Sequence, residues 1–202
     1  GNFGFRYVST DVEASFYSAP NTPVAQLTSA DNHNSEILPS VNVAFDLTED
    51  KILRVAAARV MSRPQYVDMY MAQDRSGVDP AIPTNPSLIT GSVALDPYLA
   101  NEAEIAFEWY MDDNTMLSVG MFTKDIESFI AYETTSDVFI NDPEDPGLWN
   151  IQQKVNGKGG QVDGIEMQYQ QAFDNGFGFS GNLTYAETDA PRESFDDRNA
   201  EL

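Results

Sequence analysis

The chain has 202 residues, with 11 Lys and Arg against 32 Asp and Glu, a formal net charge of −21. Nucleic-acid binding is excluded as a function class, because it needs a basic face, and 42% hydrophobic with 11% aromatic residues excludes a disordered acidic tail. Cysteine is absent, which removes disulfides and thiolate metal sites, and no run of about 20 apolar residues marks a transmembrane helix.

The dominant period is two. In residues 1–7, Phe3, Phe5 and Tyr7 fall on alternate positions. In residues 37–47, Val41, Val43, Phe45 and Leu47 alternate with Ser40, Asn42, Ala44 and Asp46. Residues 52–60 form a weaker segment, since Ala56, Ala57 and Ala58 say little about facing. In 102–111, Ile105, Phe107, Trp109 and Met111 alternate with Glu104, Ala106, Glu108 and Tyr110, and in 116–124 Leu117, Val119 and Met121 continue the pattern. Residues 163–170 (Ile165, Met167, Tyr169) and 179–186 (Phe179, Leu183, Tyr185) complete seven segments. Alternation of this kind predicts all-β structure from antiparallel strands with one apolar and one polar face.

Short and long connections alternate. Glu49-Asp50-Lys51, Asp113-Asn114-Thr115 and Asp174-Asn175-Gly176 are tight polar turns, whereas 18–36, 63–98 and 135–159 are long. Compact soluble domains seldom carry structureless loops beyond about 15 residues. Outer-membrane barrels show this asymmetry of short periplasmic turns and long outer loops. Phe45, Trp109, Tyr110, Phe173 and Phe177 cluster beside the short turns, as in an interfacial aromatic girdle. The pattern alone leaves two architectures open: a membrane barrel wall, or a soluble sheet whose apolar face packs on a second layer.

The alternation is under way at Gly1, without Met or signal peptide, and the chain stops in an acidic stretch at Leu202. Seven strands are also an odd number, where bacterial barrels normally have an even one. The expectation is a piece of a longer protein. Parity constrains register as well, because paired residues must share a face. It predicts Met111 opposite Leu117, Glu104 opposite Lys124, Leu47 opposite Leu53, Asp46 opposite Arg54 and Phe173 opposite Phe177. A two-residue turn pairing Asp112 with Thr115 requires a bulge.

Candidate chemistry is sparse. The single histidine, His33, sits between Asn32 and Asn34 and reads as a solvated loop residue. Asp137, Asp142, Glu144 and Asp145 supply oxygen ligands of the type calcium takes, but Pro143 and Pro146 interrupt them and the spacing is not that of an EF-hand. Gly157-Lys158-Gly159-Gly160 lacks the spacing and terminal Ser/Thr of a phosphate loop and reads as backbone entering a strand. No catalytic constellation, metal site or cofactor site is expected, so the chain is read as a non-enzyme.

Four stretches together carry a family resemblance: Gly1-Asn2-Phe3-Gly4-Phe5-Arg6-Tyr7-Val8 with Thr10-Asp11; Leu38-Pro39-Ser40-Val41-Asn42 with Asp46-Leu47-Thr48, Leu53-Arg54 and Ser62-Arg63-Pro64; Glu108-Trp109-Tyr110 with Phe122-Thr123-Lys124-Asp125-Ile126 and Phe129-Ile130; and Val155-Asn156-Gly157 with Gly164-Ile165-Glu166 and Tyr169-Gln170-Gln171-Ala172-Phe173. In order and spacing they resemble the C-terminal half of TonB-dependent receptor barrels, in particular a proteobacterial branch tied to carbohydrate uptake.

The resemblance implies an antiparallel up-and-down transmembrane barrel of about 22 strands, with residues 1–202 a partial barrel lacking the plug and final strands. It implies a place in the bacterial outer membrane and active import of a nutrient, an oligosaccharide first. The energy would come from the TonB complex through an N-terminal part. A siderophore receptor, a passive porin-like channel and, from another class, a soluble β-sheet binding module are the alternatives. In a barrel, Arg54, Glu104, Glu108, Lys124 and Glu166 line the lumen, facing plug or substrate path. Tyr66, Tyr70, Asp74, Arg75 and Asp79, in the longest outer loop, are the candidate ligand contacts. The other partners are outer-membrane lipid and a small-molecule or oligosaccharide ligand.

Overall fold

The computed structural model describes residues 1–18, 26–70, 74–76, 87–140 and 147–190. Seven strands form one antiparallel sheet: β1 (Asn2–Ser18), β2 (Gln26–Thr48), β3 (Lys51–Ser62), β6 (Tyr98–Asp112), β7 (Thr115–Ile126), β10 (Gly160–Ala172) and β11 (Gly178–Thr188). They lie in chain order, so each pairs with its sequence neighbours in this sheet, and the sheet is not closed. These are the seven segments that the alternation marks. Between them lie a one-turn helix, α1 (Tyr66–Met69), and four further strands, β4 (Asp74–Ser76), β5 (Ser87–Thr90), β8 (Ile130–Ile140) and β9 (Gly147–Asn156). These four make a second sheet in the order β4-β5-β9-β8. No helix of the described residues is long and apolar enough to cross a membrane, which says nothing of a β-barrel.

Rows of paired residues show how the sheet is built. Phe45, Leu53, Phe107, Val119, Met167 and Leu183 lie side by side across six strands, and Val43, Val55, Ile105, Met121, Ile165 and Tyr185 form the next row. Every one of these side chains is exposed or half-exposed. The soluble alternative requires this apolar face to pack on a second layer, and no described residue buries it. The largest buried apolar side chains, Leu88, Leu95, Leu99, Met69 and Trp149, lie at or beyond the end of the sheet away from the short turns.

Further from the short turns the same face becomes polar along a slanted line. The first polar residue is Ser9 on β1 and Ser35 on β2, Arg59 on β3 and Asn101 on β6, then Thr123, Asp163 and Glu187 on β7, β10 and β11. Relative to the paired rows, this boundary shifts between β2 and β3 and again between β6 and β7 and stays level between the other neighbours, about one residue per strand on average. With a rise of about 3.3 Å per residue and a strand spacing of about 4.8 Å, that average inclines the strands by roughly 35° to the normal of the boundary, the tilt of membrane barrels.

Two turns differ from expectation in the same way. In β2–β3, Phe45 opposes Leu53 and Ala44 opposes Arg54, with a bulge between Asp46 and Thr48. In β6–β7, Trp109 opposes Leu117, and a bulge between Tyr110 and Asp112 brings Asp112 opposite Thr115. The extra residue in each bulge allows a two-residue turn while the strands keep their faces. The expected pairs Leu47–Leu53, Asp46–Arg54, Met111–Leu117 and Glu104–Lys124 are therefore each displaced by two residues. The third turn is as expected. Phe173 N donates to Phe177 O at 2.8 Å, and Gly176 takes φ +85°, a conformation that favours glycine.

The long connections, expected as loops, contain regular structure. β1 and β2 stay paired out to Ser18 and Gln26, past the last β2–β3 pair at Ser40 and Ala58. Pro39 sits where β2 leaves β3, so the missing N–H costs no ladder bond to β3. His33 is thus a strand residue, not a loop residue, and its Nδ1 lies 2.7 Å from Asp11 Oδ1 directly across the hairpin. Asp137 occupies the bulge of β8, at φ 59°, while Asp142, Glu144 and Asp145 lie outside the described residues. Gly159 passes so close to β7 that a Cβ there would fall 1.8 Å from Ile126 O.

Candidate functional site

The polar face of the seven-stranded sheet carries the candidate residues. Arg54, Glu104, Glu108, Lys124 and Glu166 alternate with the apolar rows and so share one face. Toward the short turns, Arg54 binds Glu108 fork to fork, Nε to Oε1 at 2.7 Å and Nη2 to Oε2 at 3.2 Å. Tyr110 Oη donates to the same carboxylate at 2.9 Å. Tyr110, expected in the aromatic girdle, therefore belongs to the polar face, where its hydroxyl finds a partner.

Further along, the face hollows into an open trough of about 520 Å³. Its walls include Asn42, Ala56, Ala58, Glu104, Lys124 and Glu166. The small alanines leave the space that the larger polar side chains border. Lys124 Nζ contacts Glu102 Oε1 at 2.6 Å, not Glu104, which lies opposite Phe122. Glu102 shares parity with Glu104, and the bulge's two-residue displacement brings it, unexpectedly, to Lys124. The Phe122 ring crosses Gly164, where any Cβ would meet it at 2.3 Å.

The outer loop candidates are spread over several elements. Tyr66 is 90% exposed on α1 and Tyr70, just past it, 68% exposed. Asp74 and Arg75 belong to β4, where only the backbone is described, and Asp79 lies outside the described residues. Beneath the tyrosines, Asp68 binds Lys154 of β9 at 2.6 Å, with 13% and 16% of the two side chains exposed. The Lys154 ammonium also sits 5.0 Å from the Tyr132 ring centre. Burial alone would lower its pKa, but hydrogen bonds to Asp68 and Tyr132 outweigh this and raise it above 10.5. A raised lysine pKa contributes stability below pH 10.5 that is lost as pH rises through the higher folded value. The sequence offered no signal for this pair, because 86 positions separate its members. Among the described residues, no group of three or more His, Cys, Asp or Glu is placed to hold a metal ion.

A tilted antiparallel sheet with an exposed apolar band on one face and a charged trough on the other defines the wall of an outer-membrane β-barrel. The chain belongs to the TonB-dependent receptor family: the family's profile, described as "TonB dependent receptor-like, beta-barrel", matches residues 1–201. Its place is the bacterial outer membrane. Solved structures agree on the fold. A mutant ferric enterobactin receptor (PfeA) from Pseudomonas aeruginosa, in complex with enterobactin, matches at TM-score 0.64 and 19% identity, over 88% of this chain and 26% of that one. The siderophore receptor PirA from Acinetobacter baumannii matches at TM-score 0.60 and 19% identity, over 90% and 27%. The copper transporter OprC matches at TM-score 0.54 and 12% identity, over 93% and 26%. The chain thus spans about a quarter of the length of these structures. No curated protein matches its sequence.

Proposed function

We propose that the chain serves active import across the outer membrane, as part of the wall and outer loops of a receptor driven by the TonB complex. The observation that carries this reading is the family match over residues 1–201 on a sheet with one apolar and one charged face. In the proposed barrel, residues 1–202 contribute wall but no plug. The apolar face is turned to lipid, and Arg54, Glu104, Glu108, Lys124 and Glu166 line the lumen, where the trough receives plug or substrate.

The substrate we propose is an oligosaccharide. Tyr66 and Tyr70 present exposed rings at the outer surface, suited to stacking on sugar faces, and Asp74, Arg75 and Asp79 would add hydrogen bonds. Charge supports an uncharged ligand. Arg54, Lys124 and Lys154 are each bound to a carboxylate, which leaves them poorly placed to grip an anion. A siderophore or copper is the second reading, favoured by what the structurally similar proteins carry.

The test is uptake of radiolabelled neutral oligosaccharides and of ferric enterobactin by cells expressing the complete receptor, with and without a functional TonB complex. Saturable oligosaccharide uptake that needs TonB, and falls with Tyr66→Ala and Tyr70→Ala, supports the reading. TonB-independent entry would establish a passive channel, and uptake of the ferric chelate alone would establish the second reading.

A further inference from the structure

The two outer connections, one between β3 and β6 and the other between β7 and β10, are built into each other. β5 of the first pairs in parallel with β9 of the second, Leu88 opposite Ile151 and Ile89 opposite Gln152. Parallel pairing between strands of different connections is not an extended hairpin; it needs both chains in place. The Asp68–Lys154 ion pair crosses the same boundary with both side chains largely withdrawn from water. Asp96 N donates to Asn156 Oδ1 at 2.9 Å and Asn156 Nδ2 returns the bond to Asp96 O at 3.1 Å.

Within the first connection, Ser92 N donates to Asp68 O and Gly91 N to Tyr70 O, so α1 is tied to the segment that enters β6. Met69, Leu88, Val93 and Leu95 of the first connection and Trp149 of the second are buried. The paired apolar rows of the seven-stranded sheet, by contrast, are exposed or half-exposed.

We infer that the described parts of these two connections form one rigid body above the wall and move together, not as two independent flaps. Separating them breaks a strand ladder, leaves the largely desolvated Asp68 and Lys154 without each other, and parts the Asp96–Asn156 clasp; each of these opposes separation. A displacement sensed at α1 is therefore carried to β8 and β9, and through them to β7 and β10. The inference concerns mechanical coupling and holds whichever substrate is imported.

The chain has no cysteine, so an introduced pair is clean. In the complete receptor in the outer membrane, I89C with Q152C should form a disulfide in most molecules without any added ligand. Hydrogen exchange supplies the second arm. Asp68→Asn should accelerate exchange by about tenfold or more in both 87–90 and 147–156, while 102–112 and 115–126 stay unchanged. If the variant does not fold, the reduced and oxidised forms of the cysteine pair are compared instead, and oxidation should slow exchange in both segments. Absence of the disulfide, or a change of exchange in one segment only, overturns the inference.

Discussion

The indole N–H of Trp109 donates to the Asp50 carboxylate at 3.0 Å, which ties the β2–β3 turn to the neighbouring strand β6. The same carboxylate accepts from Thr48 Oγ1 at 2.6 Å and Lys51 Nζ at 3.0 Å, and Asp50 O accepts from Tyr110 N at 2.8 Å. Hydrogen bonds from Thr48, then Lys51 and Trp109, hold the Asp50 pKa down to about 2. A depressed carboxylate pKa contributes stability above its unfolded value, lost as pH falls toward the folded one. The turn should therefore loosen between about pH 4 and pH 2. Asp50→Ala should abolish this step and lower the melting temperature in detergent at pH 7. Melting curves of the receptor and the variant between pH 2 and pH 7 check it, and identical pH profiles would count against the turn's role.

Val119 stands in the middle of an apolar row, between Phe107 and Met167. If that row meets hydrocarbon, Val119→Arg should cost about 2–4 kcal/mol, the range for a lipid-facing arginine near the midplane. Ser118→Arg, one position along and on the polar face, should cost much less. Denaturant titration of both variants in lipid vesicles measures the difference, and equal costs would mean that the faces are not distinguished by lipid.

Register is open to direct chemistry. Glu102 and Lys124 are paired across β6 and β7, whereas Glu104 is not opposite Lys124. The cysteine pair E102C and K124C should oxidise readily, and E104C with K124C should not. Non-reducing electrophoresis of the two receptors after mild oxidation decides it. A stronger cross-link in the second pair would restore the register without the bulge.

Alternation fixes which face each residue takes, so it located all seven wall strands and placed Arg54, Glu104, Glu108, Lys124 and Glu166 together. It fixes register only to within two residues, and a bulge absorbs that step unseen, which is why Asp46–Arg54 and Glu104–Lys124 were displaced. The Asp174-Asn175-Gly176 turn is legible in the sequence because Gly176 announces its own backbone conformation. Residues 28–36 carry no apolar side chain larger than Ala30, so the outward run of β2 has no period to detect. The second sheet depends on β5 meeting β9, a long-range parallel pairing that no local pattern encodes. The Asp68–Lys154 pair was hidden for the same reason.

Gly176 gives a local test of the β10–β11 turn. At φ +85° a Cβ is strained even though no neighbouring atom obstructs it. Gly176→Ala should destabilise the β10–β11 hairpin by about 1–2 kcal/mol, and Gly176→Asn by less, since asparagine tolerates this region. Equilibrium unfolding of the two variants ranks them. The reverse order would mean that the turn adopts another conformation.

The inside–outside assignment is tested most directly on β7. Spin labels on single cysteines from Met116 to Thr123, in the complete receptor in lipid bilayers, report collisions with oxygen, which concentrates in hydrocarbon, and with a water-borne nickel chelate. Leu117, Val119 and Met121 should show high oxygen and low nickel accessibility, and Ser118, Gly120 and Phe122 low oxygen accessibility, giving a period of two along the strand. A flat profile, or one with the phase reversed so that Ser118 and Gly120 collide with oxygen, would contradict the barrel wall proposed for this chain.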